Sequence, residues 1–184
     1  MSPKRFVLVD RDGTINVEKD YLSDPAGLEL IPGAAEGLRA LAKLGLGLVV
    51  VTNQSGIGRG YFSLETLETI HRRLRDMLTA EGITLDGVYF CPHGPEDDCD
   101  CRKPLPGMVV QAAQELGFDP KQAFVIGDKA ADVDLGRAVG AKSILVRTGY
   151  GRQHEGKCRP DHVADDLLAA AQWIALQIKG ESGN

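Results

Sequence analysis

Aromatic residues are scarce in this chain: one Trp, four Tyr and five Phe make up 5% of 184 residues. With a formal charge of −5 and few basic clusters, that scarcity argues against a nucleic-acid module, which needs stacking platforms and a cationic groove. No run approaches the ~20 uninterrupted apolar residues of a membrane helix. The start, Met-Ser-Pro-Lys-Arg, leads into a candidate strand without an apolar signal segment, so a soluble, cytoplasmic protein is expected. Internal repeats and low-complexity linkers are also missing. Residues 1–184 therefore read as one domain, and 43% hydrophobic residues suffice for one core. Cysteine is limited to four residues, of which Cys91, Cys99 and Cys101 fall within 11 positions beside His93. Such clustering points to a metal site more than to a disulfide framework.

What is present is an alternation of two periods. Short apolar, β-branched runs at residues 5–10, 46–52, 87–90, 123–126 and 143–146 read as buried strands. Between and after them, segments with helical spacing cover residues 34–44, 64–81, 107–116, 131–139 and 166–178. Ser63 is placed as an N-cap, and Gly45, Gly117 and Gly140 stand just past three helix ends. Regular β-α alternation implies an α/β fold, a parallel sheet covered on both faces in three layers. The tail from Gly180 is expected to fray.

In open α/β sheets, ligands gather at the carboxyl ends of the strands. The first strand is followed by Asp10-Arg11-Asp12-Gly13-Thr14 and the second ends in Thr52-Asn53-Gln54-Ser55. The third is followed by a Cys/His loop ending in Arg102-Lys103-Pro104, and the fourth by Gly127-Asp128-Lys129-Ala130-Ala131-Asp132. Taken singly, an Asp before Gly is also an ordinary turn signal. Carboxylates converging from separate strand ends repel one another, however, and a hard divalent cation such as Mg²⁺ is their natural partner. Two acids one residue apart, Asp10 and Asp12, can divide the work. One stays ionised and attacks, while the other keeps its proton and serves as acid, then base.

That ordered set, DxDGT, Thr, Lys and GDxxxD, resembles the haloacid dehalogenase superfamily over residues 5–147. The resemblance implies a Rossmann-like sheet and a magnesium-dependent phosphatase. It assigns Asp10 as nucleophile, Asp12 as general acid and base, Thr52 as hydroxyl donor to the phosphoryl oxygens and Lys103 as their counter-cation. Asp128 becomes a metal ligand beside Asp10 and the backbone carbonyl of Asp12, with Asp132 supporting from behind. Neither interval that hosts a cap in this superfamily has room for one, so an open site without a large cap domain is expected, and such a small enzyme can work as a monomer.

Cys91, His93, Cys99 and Cys101 offer three thiolates and one imidazole, the ligand set of a closed tetrahedral zinc site. Such a site would stiffen the loop that carries Arg102 and Lys103. His71, His154 and His162 lack partners at ligand spacing and read as surface residues, and Cys158 has no visible role.

Within the superfamily, DRDGTIN, VTNQSGIGRG, CPH with CDCRKP, GDK and VRTG resemble the D-glycero-D-manno-heptose 1,7-bisphosphate 7-phosphatases. These make nucleotide-activated heptose for cell-surface glycans. The resemblance marks Glu18, Lys19, Asp20, Tyr21, Asn53, Gln54, Ser55, Arg102 and Lys129 for substrate contact. Histidinol-phosphate phosphatase, with a similar DRDGT motif and short zinc loop, is the alternative enzyme. A phospho-accepting receiver-like domain is the alternative outside enzymes.

Overall fold

The computed structural model describes residues 4–182. Six strands, β1 (Phe6–Val9), β2 (Gly47–Asn53), β3 (Gly87–Cys91), β4 (Phe124–Gly127), β5 (Lys142–Val146) and β6 (His162–Ala164), form one sheet in the order β3-β2-β1-β4-β5-β6. Every pairing is parallel. The helices are α1 (Ala34–Lys43), α2 (Leu64–Ala80), α3 (Gly107–Leu116), α4 (Ala130–Val139), α5 (Gly151–His154) and α6 (Leu167–Ser182).

Strand alternation decides the layers. Val7 and Val9 of β1 and Leu48 and Val50 of β2 join one core with α1, α2 and α6, through Leu38, Leu74 and Ile174. Phe6, Leu8, Val49 and Val51 point the other way and pack on Met108 and Val109 of α3 and Leu135 of α4. Both faces of the sheet are thus covered, which is why its strands read as continuous apolar runs.

The five strands and five helices expected from the sequence all form, within a few residues of the expected bounds. β6 and α5 were not anticipated. At three and four residues, they are too short to show a period. α6 runs past Gly180 to Ser182, because Glu181 is held by Arg5 at 2.6 Å and Lys142 at 3.1 Å. The remainder of the tail, residues 183–184, lies outside the described residues.

Between β1 and α1 the chain makes a short flap and not a domain. Val17 N–H donates to the Glu29 carbonyl and Ile31 N–H to the Ile15 carbonyl, while Ile15, Leu22 and Leu28 anchor it in the core. Its tip leaves Glu18, Asp20 and Tyr21 beside the carboxyl end of β1. No helix among the described residues is long and apolar enough to cross a membrane.

Candidate active site

β1 sits in the middle of the sheet, paired with β2 on one side and β4 on the other. Chain connections leave in opposite directions at this point, which opens a crevice at the carboxyl ends. A cavity of about 360 Å³ occupies it. Asp10, Asp12, Thr52, Lys103 and Asp132 line its floor, and Glu18, Asp20, Tyr21, Ser55, Arg102 and Lys129 line its rim and walls.

The floor is an electrostatic network of buried groups. Lys103 Nζ donates to Asp10 Oδ1 at 2.9 Å, to Asp132 Oδ1 at 2.7 Å and to the Val51 carbonyl at 2.8 Å. Burial works against this cation, but Asp10 and Asp132 outweigh it and hold Lys103 protonated, well above the ordinary lysine range. Asp10 Oδ1 also accepts the Arg11 backbone N–H at 2.8 Å. Its Oδ2 has no hydrogen-bond donor among the described residues.

Asp128 is fully buried, and its Oδ1 has no hydrogen-bond partner among the described residues. Burial, then the charges of Asp10 and Asp132, push its carboxyl up to about 9, while the Tyr150 N–H bond at 2.9 Å opposes the shift. Burial, together with the Asp10 charge, also raises Asp132, to about 6. Carboxylate oxygens of Asp10, Asp128 and Asp132 lie within 4.8 Å of one another. An orphaned buried oxygen amid three such acids is the donor set of a hard divalent cation. Gly13 permits the approach: at φ +81° it tolerates a backbone shape other residues resist, and a Cβ there would collide with the Asp128 carboxylate.

Asp12 departs from the expectation that it keeps its proton. Burial favours the neutral acid, but the Arg11 charge and hydrogen bonds from Asn16, Arg11 and Gln54 outweigh it, and its pKa is lowered. Asp12 is thus poised as a base, with Arg11 on both oxygens at 3.0 and 2.9 Å. Gln54 Nε2 reaches both Asp12 Oδ2 at 2.9 Å and Thr52 Oγ1 at 2.8 Å. Asn53 exchanges two bonds with the backbone of Lys103, at 2.9 and 3.2 Å. Gln54 and Asn53, expected to touch substrate, therefore also brace Asp12, Thr52 and Lys103 while lining the cleft.

Lys19 does not line the cleft. It is exposed and faces Glu29 at 3.5 Å. Tyr150 does line the cleft and was missed, since it lies in the loop after β5 without an acid or base beside it. Its hydroxyl donates to Asp20 at 2.6 Å and its ring lies under Lys129 Nζ, 5.0 Å from the centroid. The surface reading of the histidines also needs correction. His71 is buried against Arg11, while His154 and His162 are half-buried, the former accepting the Ala130 N–H and the latter stacked on Trp173. Cys158 donates to the His154 carbonyl at 3.5 Å.

The four Cys/His ligand atoms come together as the sequence suggested, all within 4.8 Å. Cys91 and Cys99 sulfurs are 3.9 Å apart, and His93 Nδ1 is 3.5 Å from Cys91 Sγ and 3.4 Å from Cys101 Sγ. A tetrahedral zinc with the usual bond lengths needs edges of about 3.8 Å between sulfurs and about 3.6 Å from sulfur to nitrogen. Arg102, one residue past the cluster, donates to the His93 carbonyl at 3.3 Å.

Residues 100–170 match the HAD-hydrolase-like family model. The chain is 40% identical over 178 residues to the D-glycero-beta-D-manno-heptose-1,7-bisphosphate 7-phosphatase of Pasteurella multocida, covering 93% of this chain and 97% of that one. The enzyme of the same name from Haemophilus influenzae is 42% identical, with coverages of 89% and 93%. Among solved structures, the D,D-heptose 1,7-bisphosphate phosphatase of B. bronchiseptica, complexed with magnesium and phosphate, superposes with a TM-score of 0.88. It is 33% identical, covering 94% of this chain and 99% of that one. The receiver-like alternative falls away with these matches, and the chain belongs to the D-glycero-D-manno-heptose 1,7-bisphosphate 7-phosphatase family of haloacid dehalogenase-like hydrolases.

Proposed function

We propose that the protein hydrolyses the 7-phosphate of D-glycero-D-manno-heptose 1,7-bisphosphate, on the route to nucleotide-activated heptose and lipopolysaccharide. The observation that carries this reading is a division of cations within one cleft. Lys103 lies on the floor against the nucleophile, whereas Arg102 and Lys129 stand apart at the rim. A sugar with a reacting phosphate and a second, remote phosphate needs that arrangement. Histidinol phosphate carries a cationic amine at its far end, which Arg102 and Lys129 would repel.

Asp10 Oδ2 attacks phosphorus, and the bond from phosphorus to the sugar oxygen breaks as Asp12 delivers a proton to that oxygen. Water then attacks the phosphorus of the aspartyl phosphate, Asp12 takes the water's proton, and the Asp10 carboxylate is released with inorganic phosphate. Because Asp12 rests as a carboxylate, it must gain a proton as substrate binds, and the incoming phosphate dianion favours that uptake. Thr52 and Lys103 bind the phosphoryl oxygens. Mg²⁺ would be held by Asp10, Asp128 and the Asp12 backbone carbonyl, and it supplies further neutralisation of the transferring group. Asp132 has both oxygens engaged, by Lys103 Nζ and the Lys129 N–H, which suits a supporting role.

Zinc on Cys91, His93, Cys99 and Cys101 would be structural, with every ligand position filled by protein. A cytoplasmic location suits these reduced thiols. The residues assigned to the reaction all fall within the one proposed domain of residues 1–184. Phosphate release measured across heptose 1,7-bisphosphate, histidinol phosphate and other sugar phosphates tests the assignment. A marked preference in kcat/KM for the heptose bisphosphate is expected, and equal or faster turnover of histidinol phosphate would overturn it.

A further inference from the structure

Arg11 stands between the two aspartates of the site in sequence, yet it does not line the cleft. Its side chain turns inward and is 0% exposed. A guanidinium buried this deeply is tolerated only with strong partners. Among the described residues it has two. One is the Asp12 carboxylate, gripped at both oxygens. The other is His71, whose Nε2 lies 3.0 Å from Arg11 Nη1. Arg11 Nε has no partner, so these contacts alone fix the orientation of the group.

The chemistry of the pair settles the direction of the second contact. Arginine only donates, so His71 Nε2 must accept, and the ring must be neutral with its proton on Nδ1. Burial, followed by the neighbouring Arg11 charge, pushes His71 down to about 3, which keeps it an acceptor at any working pH. The ring is held by α2 and lies against Phe90 of β3, 5.8 Å between centroids. A rigid helix thereby reaches the catalytic turn through one imidazole.

We propose that His71 and Arg11 are positioning residues for Asp12: His71 holds the Arg11 fork, and the fork fixes the Asp12 carboxylate where it meets the oxygen of the leaving group. This rests on the reading of Asp12 as the proton donor in the first half of the reaction. Neither residue touches substrate.

The test compares kcat/KM for an alkyl phosphate and for p-nitrophenyl phosphate. An alkoxide leaves only with a proton delivered, whereas nitrophenolate departs with little help. His71→Leu is expected to lower kcat/KM for the alkyl ester roughly tenfold or more, part of what general acid catalysis supplies, and to change the aryl ester by less than about twofold. His71→Gln, whose amide oxygen again accepts from Arg11, should recover most of the alkyl rate. Arg11→Lys, which keeps charge but loses the fork, should show the same selective loss and carries the test if the leucine variant does not fold. Equal losses on both esters, or none, would overturn the proposal. Asp12→Asn separates the layers of the argument. If it lacks the selective loss, the role given to Asp12 is at fault; if it shows the loss and the His71 and Arg11 variants do not, the pair plays no part. Both esters are generic, so the outcome does not depend on heptose being the substrate.

Discussion

Lys103 and Asp10 lie 93 positions apart in the chain and meet at 2.9 Å in the interior, Nζ to Oδ1. The ammonium also holds Asp132, so a single buried cation balances two acids. Removing it leaves those charges uncompensated, a change that costs about 3 to 5 kcal/mol when one partner of a buried pair is lost. Lys103→Met should therefore be inactive and clearly less stable. Adding Asp132→Asn should recover part of the stability, read by denaturant unfolding, without recovering turnover. A stable single variant would contradict this account of the floor.

Asp128 makes a different prediction, of opposite sign, because its Oδ1 has no hydrogen-bond partner among the described residues. In protein stripped of divalent metal its folded-state pKa stands near 9 against an ordinary 3.8. Between these values the folded state binds more protons than the unfolded one, so stability falls as pH rises through that window. Thermal unfolding of the chelated protein should show the decline, and Mg²⁺ should flatten it by binding the folded state. Asp128→Asn should be inactive, yet as stable as the chelated parent or more so at pH 8. A destabilised Asp128→Asn in chelator would argue against a cation position here.

Part of this site is visible in the sequence because several of its residues stand at or just past the end of a strand. Asp10, Thr52 and Asp128 stand at the ends of β1, β2 and β4, the three central strands, and a buried apolar run marks each one. What the sequence hides is pairing over distance. His71, read as a surface residue for want of ligand partners, falls on the apolar stripe of α2 with Leu67, Ile70, Leu74 and Leu78, a 3-4 spacing that marks the inward face. Nothing local said that Arg11 would turn to meet it. Lys19 shows the reverse: adjacent to Glu18 and Asp20 in sequence, it is aimed elsewhere by a flap whose tip backbone has positive φ at Asp20 and Tyr21.

The Cys/His cluster predicts a stability effect with an elemental signature. Purified protein never exposed to chelator should contain one zinc per chain, because its ligand spacing matches a tetrahedral ion. Cys99→Ser should lower the melting temperature and activity together, since loop closure and metal binding are coupled. The fall in activity should appear even with saturating Mg²⁺, because Lys103 is positioned only two residues beyond Cys101 and is clipped to Asn53. Protein without zinc and with full activity would remove the cluster from the account.

Arg102 separates recognition from chemistry. It lines the rim, its guanidinium is steadied by the His93 carbonyl, and it lies beside Lys103, to which we assign the reacting phosphoryl group. If Arg102 binds the remote phosphate, its contact exists equally in the ground state and the transition state, and its loss raises KM more than it lowers kcat. A charge-assisted contact of about 1.5 to 3 kcal/mol corresponds to roughly ten- to more than a hundredfold in kcat/KM. Arg102→Ala should show such a loss on heptose bisphosphate and little change on p-nitrophenyl phosphate, which has no second phosphate to hold. Lys103 variants should lose both substrates alike. Equal losses from Arg102→Ala on the two substrates would move Arg102 to the transferring phosphoryl group and leave Lys129 as the cation for the remote phosphate.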